Sequence, residues 1–199
     1  PTQYQQIVYD LNRTEKDYPR DKTIHALFEE QVSRTPDQIA VVYEGRSLTY
    51  QELNHQANQL AHYLIRYYDP QPDDLIALCL DRSEYMIVAI LGVLKAGAAY
   101  VPIEPQHPTE RIAYILTQTR TRVVITNHSH QDPLQHWVQE TGKQLDVLVL
   151  DNPLVQDQLV KQEHHDPTTS TTSTHLMYVI YTSGTTGQPK GVMMIHRSI

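Results

Sequence analysis

Between Thr23 and Leu150, short apolar runs alternate with stretches of helical periodicity, and this alternation constrains the fold more than any other feature. Leu75 to Leu80 is apolar without a break over strand length, as in a strand covered on both faces, and Glu84 to Ala96 is apolar nearly all round, as in a buried helix. Ser83 is placed to cap that helix and Gly97 suits a left-handed C-cap; Ala99 to Val101 then resumes as a strand, closed by Pro102, Pro105 and Pro108. Upstream, Ile24, Leu27, Phe28 and Val32 recur at helical spacing as far as Thr35-Pro36-Asp37, because the residue before a proline avoids the helical region. Ile39 to Tyr43 reads as a strand and Glu44-Gly45-Arg46 as a tight turn. Thr49 and Glu52 have capping-box spacing, and Leu53, Ala57, Leu60, Ala61 and Leu64 form one stripe of the next helix. Helices at 109–116 and 134–140 precede strands at 122–126 and 145–150. This order implies parallel neighbours joined by right-handed crossovers, hence an α/β fold with an open, mostly parallel sheet flanked by helices on both faces.

The flanks differ from this core. Residues 1–22 are polar and aperiodic and read as a linker or arm, and residues 151–174, which end in a Ser/Thr run, read as a surface loop. A net charge of -7 lacks the basic footprint of a nucleic-acid binder, and the apolar stretch 86–103 is broken by Lys95, Gly97 and Pro102, unlike a membrane span. The single cysteine, Cys79, sits in an apolar run and reads as a buried thiol, which favours a cytoplasmic location over secretion. His128, His130, His136, His164 and His165 have no accompanying cysteines and read as solvated residues; no metal site is expected.

One motif carries chemistry. After the strand Leu176 to Tyr181 comes Thr182-Ser183-Gly184-Thr185-Thr186-Gly187, and then Gln188-Pro189-Lys190-Gly191. Gly184 and Gly187 allow left-handed backbone and bring N–H groups close to an anion; Thr182, Ser183, Thr185 and Thr186 add hydroxyl donors, and Lys190 adds a point charge. These seven residues, Thr182 to Gly187 and Lys190, are the candidate phosphate contacts. A flexible Ser/Thr/Gly linker is the competing reading, and the buried strand before the loop argues against it. The loop is not a Walker A motif, since Lys190 is followed by glycine and the glycine spacing differs, which disfavours an unrelated P-loop NTPase.

Tyr178 to Val192, YVIYTSGTTGQPKGV, resembles the signature loop of the adenylate-forming, or AMP-binding, enzymes. Leu94 to Leu116, LKAGAAYVPIEPQHPTERIAYIL, and Leu48 to Leu53, LTYQEL, with Ala57 to Leu64, are similar to the early motifs of the adenylation domains of nonribosomal peptide synthetases, and Ile24 to Tyr43 fits the same subgroup. Departures from the family pattern are Ala98 for glycine, Glu104 for aspartate, Gln188 for a common lysine and Ile195 for a common glutamate; none removes the loop glycines or Lys190.

The resemblance implies that residues 23–199 are the first part of the large N-terminal domain of the adenylate-forming fold, incomplete at the C-terminal end, and that residues 1–22 resemble a condensation-adenylation linker. It implies ATP with Mg²⁺ for the complete domain, an amino-acid substrate, and as partners the remainder of the adenylation domain, a carrier protein and an upstream condensation domain. No catalytic residue is assigned within this chain, which by itself is expected to be inactive. Alternatives are a catalytically silent fragment serving as an interaction platform and a relative of the acyl-CoA ligases. Apolar residues near Val192 to Ile195 lead to an expectation of self-association.

Overall fold

In the computed structural model, which describes residues 2–14, 16–183 and 188–198, the alternation resolves into one six-stranded sheet between two helical layers, with a small hairpin beside it. The helices are α1 (Thr2–Gln5), α2 (Ile24–Arg34), α3 (Tyr50–Tyr68), α4 (Glu84–Lys95), α5 (Thr109–Thr119), α6 (Gln131–Thr141) and α7 (Pro153–Leu159). The hairpin is β1 (Ile39–Tyr43) with β2 (Arg46–Thr49), and the main sheet holds β3 (Leu75–Cys79), β4 (Ala99–Pro102), β5 (Val123–Thr126), β6 (Asp146–Val149), β7 (Leu176–Thr182) and β8 (Lys190–Ile195). The sheet order is β6-β5-β3-β4-β7-β8, parallel throughout except that β8 runs antiparallel to β7.

Period-two alternation distributes β3 between two cores. Ile76 and Leu78 join Leu53, Leu60 and Leu64 of α3 and Val88 and Val93 of α4, whereas Ala77 and Cys79 join Ile115 of α5 and Leu134 of α6 on the opposite face. Each fully buried leucine in these layers contributes about 1.5–3 kcal/mol. Gly92 sets how closely α3 and α4 pack: a Cβ there would lie 2.7 Å from Leu60 Cδ2. Gly97, at φ +91°, makes the left-handed turn out of α4 that returns the chain to β4. The Thr49–Glu52 capping box forms at the start of α3, with both reciprocal hydrogen bonds in place.

Three local expectations change. Ser83 stands at the N-cap of α4, but its hydroxyl donates back to the Asp81 carbonyl rather than accepting from the helix. The stretch read as a surface loop contains α7, opened by Asn152, which caps Leu154 N–H, and by Pro153 in the first turn; Leu159 then buries in the α3 core. The aperiodic arm has helical turns at Thr2–Gln5 and Gln6–Asp10, all exposed, since nothing in that sequence breaks a helix and no apolar face is covered.

Candidate functional site

Every parallel strand of the main sheet ends on the same edge, and the candidate loop leaves that edge from β7, next to β4. Ligands of open α/β sheets bind at such carboxyl edges, where loops diverge and backbone N–H groups are free. The loop connects β7 directly to β8, and the connection is closed by the Thr182–Lys190 pair of the antiparallel ladder. Thr182 Oγ1 lies 3.5 Å from the Lys190 carbonyl oxygen. Thr182, Ser183 and Lys190 are not buried, and Lys190 makes no ion pair among the described residues, so its charge is available to a ligand. Gly184, Thr185, Thr186 and Gly187 lie outside the described residues.

A strand, not a helix, continues the chain from the lysine. A P-loop places its phosphates at a helix N-terminus, and with β8 starting at Lys190 the β7–β8 connection does not have that form.

Gly191 sits at a close approach within the β7–β8 ladder. A Cβ there would come 2.9 Å from Val179 Cγ1 and 3.2 Å from the Tyr181 ring, so glycine next to Lys190 lets the Tyr181 ring lie across the ladder. Burial, with Tyr114 nearby, pushes the Tyr181 phenol above the usual tyrosine range and keeps it neutral.

The rest of the edge is polar and cross-linked. Asp81, just after β3, accepts hydrogen bonds from Asn127 Nδ2 at 2.7 Å and interacts with His130 Nε2 at 2.9 Å; the His130 contact first, then the Asn127 bond, holds its carboxyl below the usual aspartate range. Asp151 accepts from the His128 N–H at 2.7 Å. An open cleft of about 800 Å³ lies at the ends of β3 and β4, lined by Tyr43, Asp81, Met86, Glu104 and His107 among others. Among the described residues, this edge gathers no group of three metal-type ligands. Cys79 is buried and its thiol is pushed up to about 12 by burial, with Asp81 and Glu104 adding to the shift, so it is an inert part of the core.

Sequence reasoning missed a second polar centre on the other side of the sheet. Lys95, at the end of α4, has a fully buried side chain whose Nζ lies 2.5 Å from Glu29 Oε1 and 2.8 Å from Asp166 Oδ1. Asn54 and Asn58 of α3 each donate to the same Asp166 oxygen at 3.0 Å. A polar residue closing a run as apolar as 86–94 is the only sequence signal for it.

Comparison with known proteins adds context to this geometry. Residues 28–199 match the family described as AMP-binding enzyme. The chain is 50% identical over 191 residues to N-(5-amino-5-carboxypentanoyl)-L-cysteinyl-D-valine synthase of Amycolatopsis lactamdurans, covering 94% of this chain and 5% of that protein. It is 42% identical over 193 residues to bacitracin synthase 1 of Bacillus licheniformis, covering 97% of this chain and 4% of that protein. Among solved structures, the AMPPNP-bound nonribosomal peptide synthetase FmoA3 superposes with a TM-score of 0.79 at 27% identity over 97% of this chain and 19% of that one. The chain thus spans only a small part of the length of the relatives it matches.

Proposed function

The chain belongs to the family of AMP-binding enzymes, and from that premise we propose that its β7–β8 loop holds the β- and γ-phosphates of ATP while an amino acid is activated for peptide synthesis. It corresponds to the N-terminal portion of an adenylation domain of the nonribosomal peptide synthetase type. The observation that carries the proposal is the position of the loop: a Ser/Thr-rich connection at the carboxyl edge of a parallel sheet, ending in a lysine with no ion pair among the described residues, in a chain of this family.

In the proposed reaction a substrate carboxylate oxygen bonds to the α-phosphorus of ATP, the bond from that phosphorus to the bridging oxygen breaks, and pyrophosphate leaves. Negative charge moves onto the pyrophosphate as this happens. In this reading the Thr182 and Ser183 hydroxyls and the Lys190 ammonium stabilise it without a general base; Gly184 to Gly187, which belong to the same proposed set, lie outside the described residues. Mg²⁺ accompanies the nucleotide in this reading, and no side chain of this chain is assigned as its ligand. Its proposed partners are the rest of the adenylation domain, a carrier protein whose thiol takes the aminoacyl group, and a condensation domain, with residues 1–22 as the linker toward the last. The proposed location is cytoplasmic; no described helix is long and apolar enough to cross a membrane.

ATP–pyrophosphate exchange tests this, measured for the chain alone and with the downstream portion of the domain added in trans. The expected result is exchange only in the mixture. No nucleotide binding in either case supports a silent interaction platform, and hydrolysis by the chain alone supports an unrelated NTPase.

A further inference from the structure

The side of α3 that meets residues 163–166 carries histidines for which nucleotide binding has no use. His55 and His62 lie about two helical turns apart and so share a face of the helix. Across from them, the ring of His164 lies 4.9 Å from that of His55, and the ring of His165 lies 4.9 Å from that of His62. Glu163 Oε2 is 2.9 Å from His165 Nδ1, and His62 Nε2 is 3.0 Å from the His165 carbonyl oxygen. One ligand atom each from His62, Glu163 and His165 falls within 4.8 Å of the other two.

This meeting is imposed by the surroundings. Asn58 Nδ2 donates to the His164 carbonyl at 2.7 Å and to Asp166 Oδ1 at 3.0 Å, and the buried Lys95 holds that same Asp166 oxygen at 2.8 Å. The segment is therefore held against α3 through the His164 carbonyl and the Asp166 carboxylate, while the Glu163 and His165 side chains are exposed.

We propose that His62, Glu163 and His165 bind one divalent transition-metal ion of the zinc class, which ties α3 to the segment beyond α7. Two imidazoles and one carboxylate, with water in the fourth position, are a ligand set that zinc accepts and magnesium does not favour. Tetrahedral zinc places its ligand atoms roughly 3.3 Å apart. Closing from within 4.8 Å needs only rotation of side chains at the surface. The ion takes the place of the His165–Glu163 contact and of the His62 bond to the His165 carbonyl. The adjoining His55–His164 pair supplies two imidazoles but no third ligand among the described residues.

The test is zinc titration of the full 199-residue chain, without a polyhistidine tag, against a chromophoric chelator, with cobalt absorbance as a geometric readout. Variants are His62→Gln, His165→Gln and Glu163→Gln, with His55→Gln as the neighbouring control. The expected result is one ion per chain, tetrahedral cobalt absorbance, affinity weakened at least about tenfold in His62→Gln and His165→Gln, and affinity unchanged in His55→Gln. Zinc should raise the thermal midpoint of the parent chain and not of His62→Gln, while magnesium does neither. Equal zinc affinity in His62→Gln and the parent, a loss confined to His55→Gln, or no binding at micromolar zinc overturns the proposal.

Discussion

At the scale of single residues, the dominant feature is a buried cation. Lys95 Nζ reaches Glu29 and Asp166, which are distant in sequence, and periodicity has no access to such partners. Burial raises the Glu29 carboxyl above its usual range; burial also pulls Asp166 upward, but hydrogen bonds from Lys95, Asn54 and Asn58 outweigh it and leave that carboxyl lowered. Lys95→Ala leaves Glu29 and Asp166 without their cation, but solvent reaches both carboxylates, 25% and 46% exposed, and the expected loss in urea unfolding is about 1–3 kcal/mol. His25 and His196 form a second buried pair, edge to face at 5.5 Å, in which His196 Nδ1 accepts from the Ile24 N–H. Burial, then the neighbouring His196 and Lys95, lowers His25 to about 3; burial, then His175, lowers His196 to about 4. The unfolded chain takes up these protons near the ordinary histidine value of 6.5, so the native state binds fewer. Stability is therefore full above pH 6.5 and falls as pH drops through the window toward 4 and then 3. Asp166 adds to that loss on acidification, whereas Glu29 opposes it. Urea midpoints measured from about pH 7.5 down to about pH 4 should fall steadily, and replacing His196 by Gln should flatten the slope; a midpoint independent of pH contradicts this account.

At the scale of elements, most of the main sheet was legible because its strands are continuous apolar runs and its helices carry single stripes or caps. The capping box at Thr49 and Glu52 and the left-handed turn at Gly97 are local in cause and can be read from the residues alone. Ser83 cannot, because its hydroxyl has a nearer carbonyl at Asp81. α7 is hard to see because it is short, although Asn152-Pro153 is a start signal of the expected kind. Strand order was also out of reach: nothing in the periodicity says that β7 joins β4 across the intervening β5 and β6. For the site, the residue types of the loop were legible, but its frame was not, since the fit of Gly191 against Val179 and Tyr181 depends on the β7–β8 register. Gly191→Ala is expected to cost about 1–3 kcal/mol through overpacking. It should also shift the fluorescence or NMR signature of Tyr181; an unperturbed tyrosine and an unchanged midpoint would show that the contact is slack.

At the scale of the whole molecule, one edge of the sheet carries the proposed phosphate loop and another ends in β8. β8 is an end strand, and Ile180, Val192 and Met193 expose apolar surface around the β7–β8 ladder. The chain is expected to self-associate with rising concentration in sedimentation velocity, and Met193→Lys should shift it toward monomer; a parent chain that stays monomeric at high concentration contradicts this. The helical layer of α2, α3 and α4, joined by the buried Lys95, covers one face of the sheet, and the proposed phosphate loop leaves its carboxyl edge. The central claim is that this loop grips the phosphates of ATP, and its most direct test is ATP–pyrophosphate exchange by the chain extended to a complete adenylation domain, comparing Lys190 with Lys190→Ala. Loss of a charged donor to the departing pyrophosphate predicts a fall in kcat/KM for ATP of about tenfold to a thousandfold with the fold intact; exchange at the parent rate, with the same KM for ATP, contradicts it.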